Sequence, residues 1–328
     1  MRRPGVTEAW RNLRGNEMHQ KMAPRLALTA LLAWVFAGLA ASAAAEPLAV
    51  LVSVAPQQYL VDRVGGERVH TTVLVGPGRD PHAYEPSPRQ MAEASRARVY
   101  FRVGVDFEEV WLERIRQSSP SLRVVDQREV VTLRQVEGHR HDGPRHRRAA
   151  EPETADAQRQ PAAQAPGRAD PHVWTSPPLA QRMAAQVRDE LTRADPAGAA
   201  AYAAGYARLA RDLDALDAEI RAALAGAQGR RFMVFHPAWG YFADTYGLTQ
   251  VPIEQGGKEP GARTLATLIE QARDAGVQVI FVGPRDNPAP AQAIARALGG
   301  TVAAVDPLAA DYADNLRRVT AAFRAALR

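Results

Sequence analysis

From Pro47 onward the chain alternates short apolar runs with stretches whose apolar residues recur every three or four positions. Residues 49–54, 69–75, 98–103 and 122–125 read as strands; 57–64, 88–94 and 107–117 read as helices. Such alternation predicts an α/β unit with a parallel sheet flanked by helices. The pattern breaks over residues 134–169, which lack apolar periodicity and are rich in Pro, Arg and Gln. A segment of that composition buries too little to offset its ordering entropy, so a mobile surface loop is expected there.

Asp195-Pro196 then opens a long helical stretch that Gly226 suits as a stop. Tyr202, Tyr206, Leu209, Leu213, Leu216, Ile220 and Leu224 form one continuous stripe along it. Thirty residues would make a rod of about 45 Å, long enough to pack across two lobes. A coiled-coil dimer is the competing use of the same stripe. After Gly229 the alternation returns, with strands expected at 231–235, 248–253, 277–282 and 301–305 and helices at 238–246, 262–275, 289–298 and 311–327. The expected organisation is an N-terminal α/β lobe over 46–194, a linking helix over 195–226 and a C-terminal α/β lobe over 227–328, with both sheets parallel.

Residues 1–45 stand apart. The apolar run 26–39 follows Lys21 and Arg25 and precedes Ala40-Ala41-Ser42-Ala43-Ala44-Ala45. Basic start, short apolar middle and small-residue end make a cleavable export signal, with cleavage expected before Glu46. Fourteen apolar residues are too few for a membrane span, which needs about 20. The 21 residues before Met22 are long for the basic region of a signal, which makes Met22 a candidate translation start.

Charge now reads differently from its total. The whole chain carries a formal +5, but residues 1–45 hold six Arg/Lys against Glu8 and Glu17, leaving 35 basic and 34 acidic residues in the body. A nearly neutral body removes nucleic acid as an expected partner. The chain has no Cys, which excludes disulfides, thiolate metal sites and a lipid anchor on cysteine. Any metal must be held by nitrogen and oxygen.

Of the eight histidines, three stand in motif-like settings. His82 lies in Asp80-Pro81-His82, His172 in Asp170-Pro171-His172, and His236 ends the expected strand 231–235 before Pro237. Asp306 follows the strand 301–305 and precedes Pro307. Each of the four neighbours a proline, which limits backbone freedom around a ligand. At least three follow strands, and open α/β sheets bind ligands beyond the carboxyl ends of their strands. Three imidazoles and one carboxylate, two from each half, would complete a closed tetrahedral site in the cleft between the lobes. A closed site leaves no place for a reacting water, whereas a catalytic zinc keeps an open position. Taken singly, each histidine could be an ordinary hydrogen-bonded side chain and Asp306 a turn residue.

Together the strings DPHAYEPSP, DPHVW, FHPAWGYFADTYGL and VDPL resemble the zinc-binding solute-receptor family of bacterial ATP-driven metal importers. The resemblance runs over nearly all of residues 48–328. It implies two α/β lobes joined by one rigid helix, with metal held by His82, His172, His236 and Asp306. It also implies a periplasmic receptor, expected to be monomeric, that hands its ion to a membrane permease driven by a cytoplasmic ATPase. Manganese receptors of the family typically carry Glu where this chain has His236, and nitrogen-rich coordination favours Zn²⁺ over Mn²⁺ or Fe²⁺. The polar stretch resembles the His-rich loop of some zinc receptors, making His139, His141 and His146 candidates for auxiliary metal. The interleaved Arg140, Arg145, Arg147 and Arg148 oppose that use. An exported metal-dependent hydrolase and an adhesion protein with an incidental metal are the alternatives from other classes. The sequence holds neither HExxH nor a nucleophile motif to support the hydrolase.

Overall fold

The computed structural model describes residues 46–76, 79–82, 84–135, 169–254 and 258–327. The expected export signal and most of the polar stretch, including His139, His141 and His146, lie outside the described residues.

The first half runs β1 (Leu48–Val54), α1 (Ala55–Gly65), β2 (Val69–Val75), α2 (Pro88–Ala94), β3 (Val99–Arg102), α3 (Asp106–Ser118) and β4 (Arg123–Asp126). Two helices follow, α4 (Pro177–Ala194) and α5 (Ala199–Ala223). The second half runs β5 (Arg231–Val234), α6 (Gly240–Tyr246), β6 (Thr249–Pro252), α7 (Ala262–Asp274), β7 (Val279–Val282), α8 (Pro288–Leu298), β8 (Thr301–Ala304) and α9 (Tyr312–Ala326). The sheets are parallel throughout and share one order, β2-β1-β3-β4 and β6-β5-β7-β8. The two halves are thus the same wound unit used twice. All eight expected strands are present, with ends shifted by at most two residues.

Helix α4 was not among the expected elements. Pro177 and Pro178 open it, and Ala180, Met183, Ala184, Val187 and Leu191 bury one face at helical spacing. The long helix is shorter than expected, 25 residues or about 37 Å. Its start moves from Asp195 to Ala199 because the Asp195 carboxylate is engaged elsewhere. Asp195 Oδ2 accepts from Arg68 Nε and Nη2 at 3.1 and 2.8 Å and from the Tyr202 hydroxyl at 2.6 Å, and Pro196–Gly198 form a 3-10 turn instead. At the other end Gly226, at φ 85°, adopts the left-handed backbone that a side chain resists.

The stripe on α5 is covered by the chain's own elements. Tyr202, Leu209, Leu213, Leu216 and Ile220 join one continuous apolar core with Leu51 and Tyr100 of the first sheet, Val187 of α4, and Phe232 and Phe323 of the second half. That cover replaces the coiled-coil reading. At Gly205 the contact is closest: a Cβ there would lie 2.2 Å from the Val64 carbonyl oxygen at the end of α1. In the second sheet, side chains alternate between two cores as a strand requires. Phe232 and Phe281 face the main core, while Met233 and Ile280 face a smaller one with Leu268 of α7 and Ile294 of α8.

A buried carboxylate fixes the start of α3. Glu108 accepts from Ser53 Oγ at 2.6 Å, the Gly104 amide at 2.7 Å, and the Val103 amide and Arg102 Nε, both at 2.9 Å. Full pairing makes this buried charge tolerable. Two residues earlier on the same helix stands Asp106, which faces the candidate site.

Candidate metal centre

Three imidazoles arrive from three places. His82 lies beyond the carboxyl end of β2, in a turn where Asp80 Oδ1 accepts its backbone N–H at 2.8 Å. His172 directly precedes the 3-10 turn Val173–Thr175 and is buried. His236 follows β5, whose neighbours β6 and β7 lie on either side of it. At such a switch point the chain diverges beyond the strand ends and leaves a crevice.

The Nε2 atoms converge. His236 Nε2 is 3.4 Å from His82 Nε2 and 3.3 Å from His172 Nε2. Among the described residues these three form a group whose ligand atoms all lie within 4.8 Å of one another. A tetrahedral zinc with Zn–N bonds of about 2.0–2.1 Å requires N···N edges of about 3.3–3.4 Å. Two of the three edges therefore already have the length that zinc dictates.

Each ring has a carboxylate at its other nitrogen. His172 Nδ1 meets Asp170 Oδ1 at 2.8 Å, His82 Nδ1 meets Asp106 Oδ2 at 3.3 Å, and His236 Nδ1 lies 3.3 Å from both oxygens of Glu254. An ionised carboxylate only accepts, so the proton belongs on Nδ1 and the Nε2 lone pair is left for a metal. Three lone pairs aimed at one point repel each other unless a cation lies between them. Sequence patterning singled out the rings but not Asp106, Asp170 and Glu254 as their supports. Asp170 alone carried a signal, its place in the repeated Asp-Pro-His. There its Oδ1 also accepts the His172 backbone N–H at 2.9 Å.

Asp306 stands next to this group rather than within it. Its Oδ1 accepts the Leu308 amide at 2.9 Å and lies 3.9 Å from Arg285 Nη2, and its backbone carbonyl accepts from Asn315 Nδ2 at 2.6 Å. Pro307 and Leu308 help line the cavity of about 310 Å³ that the three rings also line, together with Arg285, Asp286 and Glu259. Burial raises the Asp286 carboxyl above the ordinary value. The Gly283 amide and His236 oppose that shift, and Glu254 adds to it.

The fold and this geometry agree with what the chain is similar to. Residues 50–326 match the family model for the periplasmic zinc-uptake complex component A, ZnuA. The chain belongs to the ZnuA family. The high-affinity zinc uptake system protein ZnuA of Paracoccus denitrificans is 30% identical over 263 residues, covering 75% of this chain and 79% of that protein. A solved ZnuA structure superposes with a TM-score of 0.76 at 34% identity, covering 86% of this chain and all of that one. The zinc-binding protein AdcA of Streptococcus pyogenes is 27% identical over 262 residues, 79% of this chain. The match spans half of AdcA's length. ZnuA-family membership places the chain among solute receptors.

Proposed function

We propose that this chain is the periplasmic zinc receptor of an ATP-driven importer, with His82, His172 and His236 as nitrogen ligands and Asp306 as the fourth. The observation that carries this reading is the convergence of three Nε2 atoms, two of their edges at tetrahedral zinc spacing, each ring backed by a carboxylate on Nδ1. Three neutral rings and one carboxylate leave the ion a local charge of about +1, which Asp106, Asp170 and Glu254 offset from outside. Asp306 reaches the ion by exchanging its contact with Arg285 for the metal. Residues 1–45 direct export, residues 46–194 and 227–328 form the two lobes about the linking helix, and the loaded receptor passes zinc to a membrane permease powered by a cytoplasmic ATPase.

Nitrogen donors select zinc over manganese. Protein purified without added metal should contain close to one zinc per chain, and a large excess of Mn²⁺ should not displace it. Retention of manganese in the presence of equimolar zinc would overturn the reading.

A further inference from the structure

His172 is attached to the rest of the molecule differently from the other two ligands. The residues on either side of it are tied to the second half: the Trp174 side-chain Nε1 donates to the Pro307 carbonyl at 2.7 Å, the Tyr312 hydroxyl to the Trp174 carbonyl at 2.7 Å, and the Tyr241 hydroxyl to the Asp170 carbonyl at 3.0 Å. Asp170, which holds the His172 ring, is itself part of a narrow neck. Gln135 and Ala169 pair as an antiparallel bridge, and the Asp170 amide donates to the Arg134 carbonyl at 2.9 Å. The Arg134 amide in turn donates to the Tyr241 hydroxyl at 3.0 Å.

The Arg134 side chain completes this arrangement. Its Nε lies 4.0 Å from Asp170 Oδ2, a charge–charge contact too long for a hydrogen bond, with a carboxylate that is almost fully buried, while its Nη1 pairs with Asp244 on α6. One guanidinium thus spans from the support of His172 to the helix that follows His236. The pair rests directly on Gly240, the first residue of α6, where a Cβ would lie 2.7 Å from Arg134 Nε and 3.0 Å from Asp170 Oδ2. Gly240 belongs to the string FHPAWGYF that carries His236. A planar guanidinium spreads its charge over a rigid fork that can face two carboxylates from fixed positions; a lysine ammonium is a compact point charge without that reach.

We propose that Arg134 is a positioning residue for zinc: by bridging Asp170 to Asp244 it holds the His172 ring in register with His236 and thereby sets how long the ion stays bound. This rests on the zinc-receptor reading and adds to it a residue that touches neither the metal nor a ligand. Losing a support outside the ligand shell costs about 10–100-fold in metal affinity, and a lost constraint on one ligand acts mainly on release.

The test is zinc dissociation into excess chelator, followed by stopped flow, for the parent chain, Arg134→Gln, Arg134→Lys and Gly240→Ala. Arg134→Gln should release zinc about tenfold faster while still binding one ion per chain, and Arg134→Lys should fall between it and the parent. Gly240→Ala disturbs the same pair from the other side and should also speed release, so the inference does not depend on one variant folding. Release at the parent rate from folded Arg134→Gln and folded Gly240→Ala would overturn it. So would a lysine variant no better than glutamine, since the retained positive charge beside Asp170 and Asp244 should preserve part of the hold on His172. His236→Ala, run alongside, separates the two ideas. Parent-like zinc binding by that variant would refute the site itself, whereas weak binding with unaltered Arg134 variants would refute only the role of Arg134.

Discussion

At the scale of single residues, the two Asp-Pro-His strings look alike in sequence but act differently. In both, the Asp accepts the histidine backbone N–H, at 2.8 Å for Asp80 and 2.9 Å for Asp170. Only Asp170 also takes the Nδ1 proton of its own histidine; His82 looks instead to Asp106 on α3. Asp170→Asn therefore loosens both the turn and the ring of His172, and zinc affinity measured by chelator competition should fall by about 10–100-fold. Asp80→Asn touches only the turn and should cost less. Equal losses in the two variants would contradict this division of roles. The three rings that the structure brings together were legible because each sits in a short string with a proline beside it. Asp106 and Glu254 were not, because their roles depend on where α3 begins and β6 ends in space, and no local spacing records that.

At the scale of elements, strand and helix order followed directly from apolar periodicity, while α4 escaped it. Its signals were present in Pro177-Pro178 and in the spacing of Met183, Val187 and Leu191, but the helix follows a stretch without periodicity and abuts a longer helix with a stronger stripe. The early start expected for α5 failed for a chemical reason: Asp195 has the composition of a cap, yet Arg68 and Tyr202 claim its carboxylate. The packing of α5 also makes a sharp stability prediction. Gly205→Ala forces a methyl group toward the Val64 carbonyl, and backbone cannot step aside as a flexible side chain can. The variant should unfold at lower denaturant, with a loss of about 1–3 kcal/mol typical of an overpacked interior. An unchanged denaturation midpoint would show that α1 and α5 are not held together this tightly.

At the scale of the whole molecule, two copies of one wound unit share a main core through α4 and α5, and the three imidazoles of the proposed metal centre gather beyond the ends of β2 and β5 and beside the 3-10 turn that follows His172. Ion pairs tie α5 to both halves, Arg63 with Asp212 at mid-helix toward the first and Arg317 with Glu219 at 2.7 Å toward the second. The apparent basicity of the chain belongs mainly to residues 1–45, so the body presents a nearly balanced surface to its partners. Two-lobe architecture was readable from sequence because both halves carry the same alternation. The position of Asp306 was not, because it depends on how Arg285 and the Leu308 amide compete for one carboxylate.

The central claim is that three imidazoles from distant parts of the chain form one zinc site. It is tested most directly by competitive zinc titration of the chain from Glu46 onward, alongside His82→Ala, His172→Ala and His236→Ala. The parent should show one tight site, and each variant should lose more than the roughly 10–100-fold expected for an outer support. Full affinity retained by His82→Ala and His236→Ala would contradict the account.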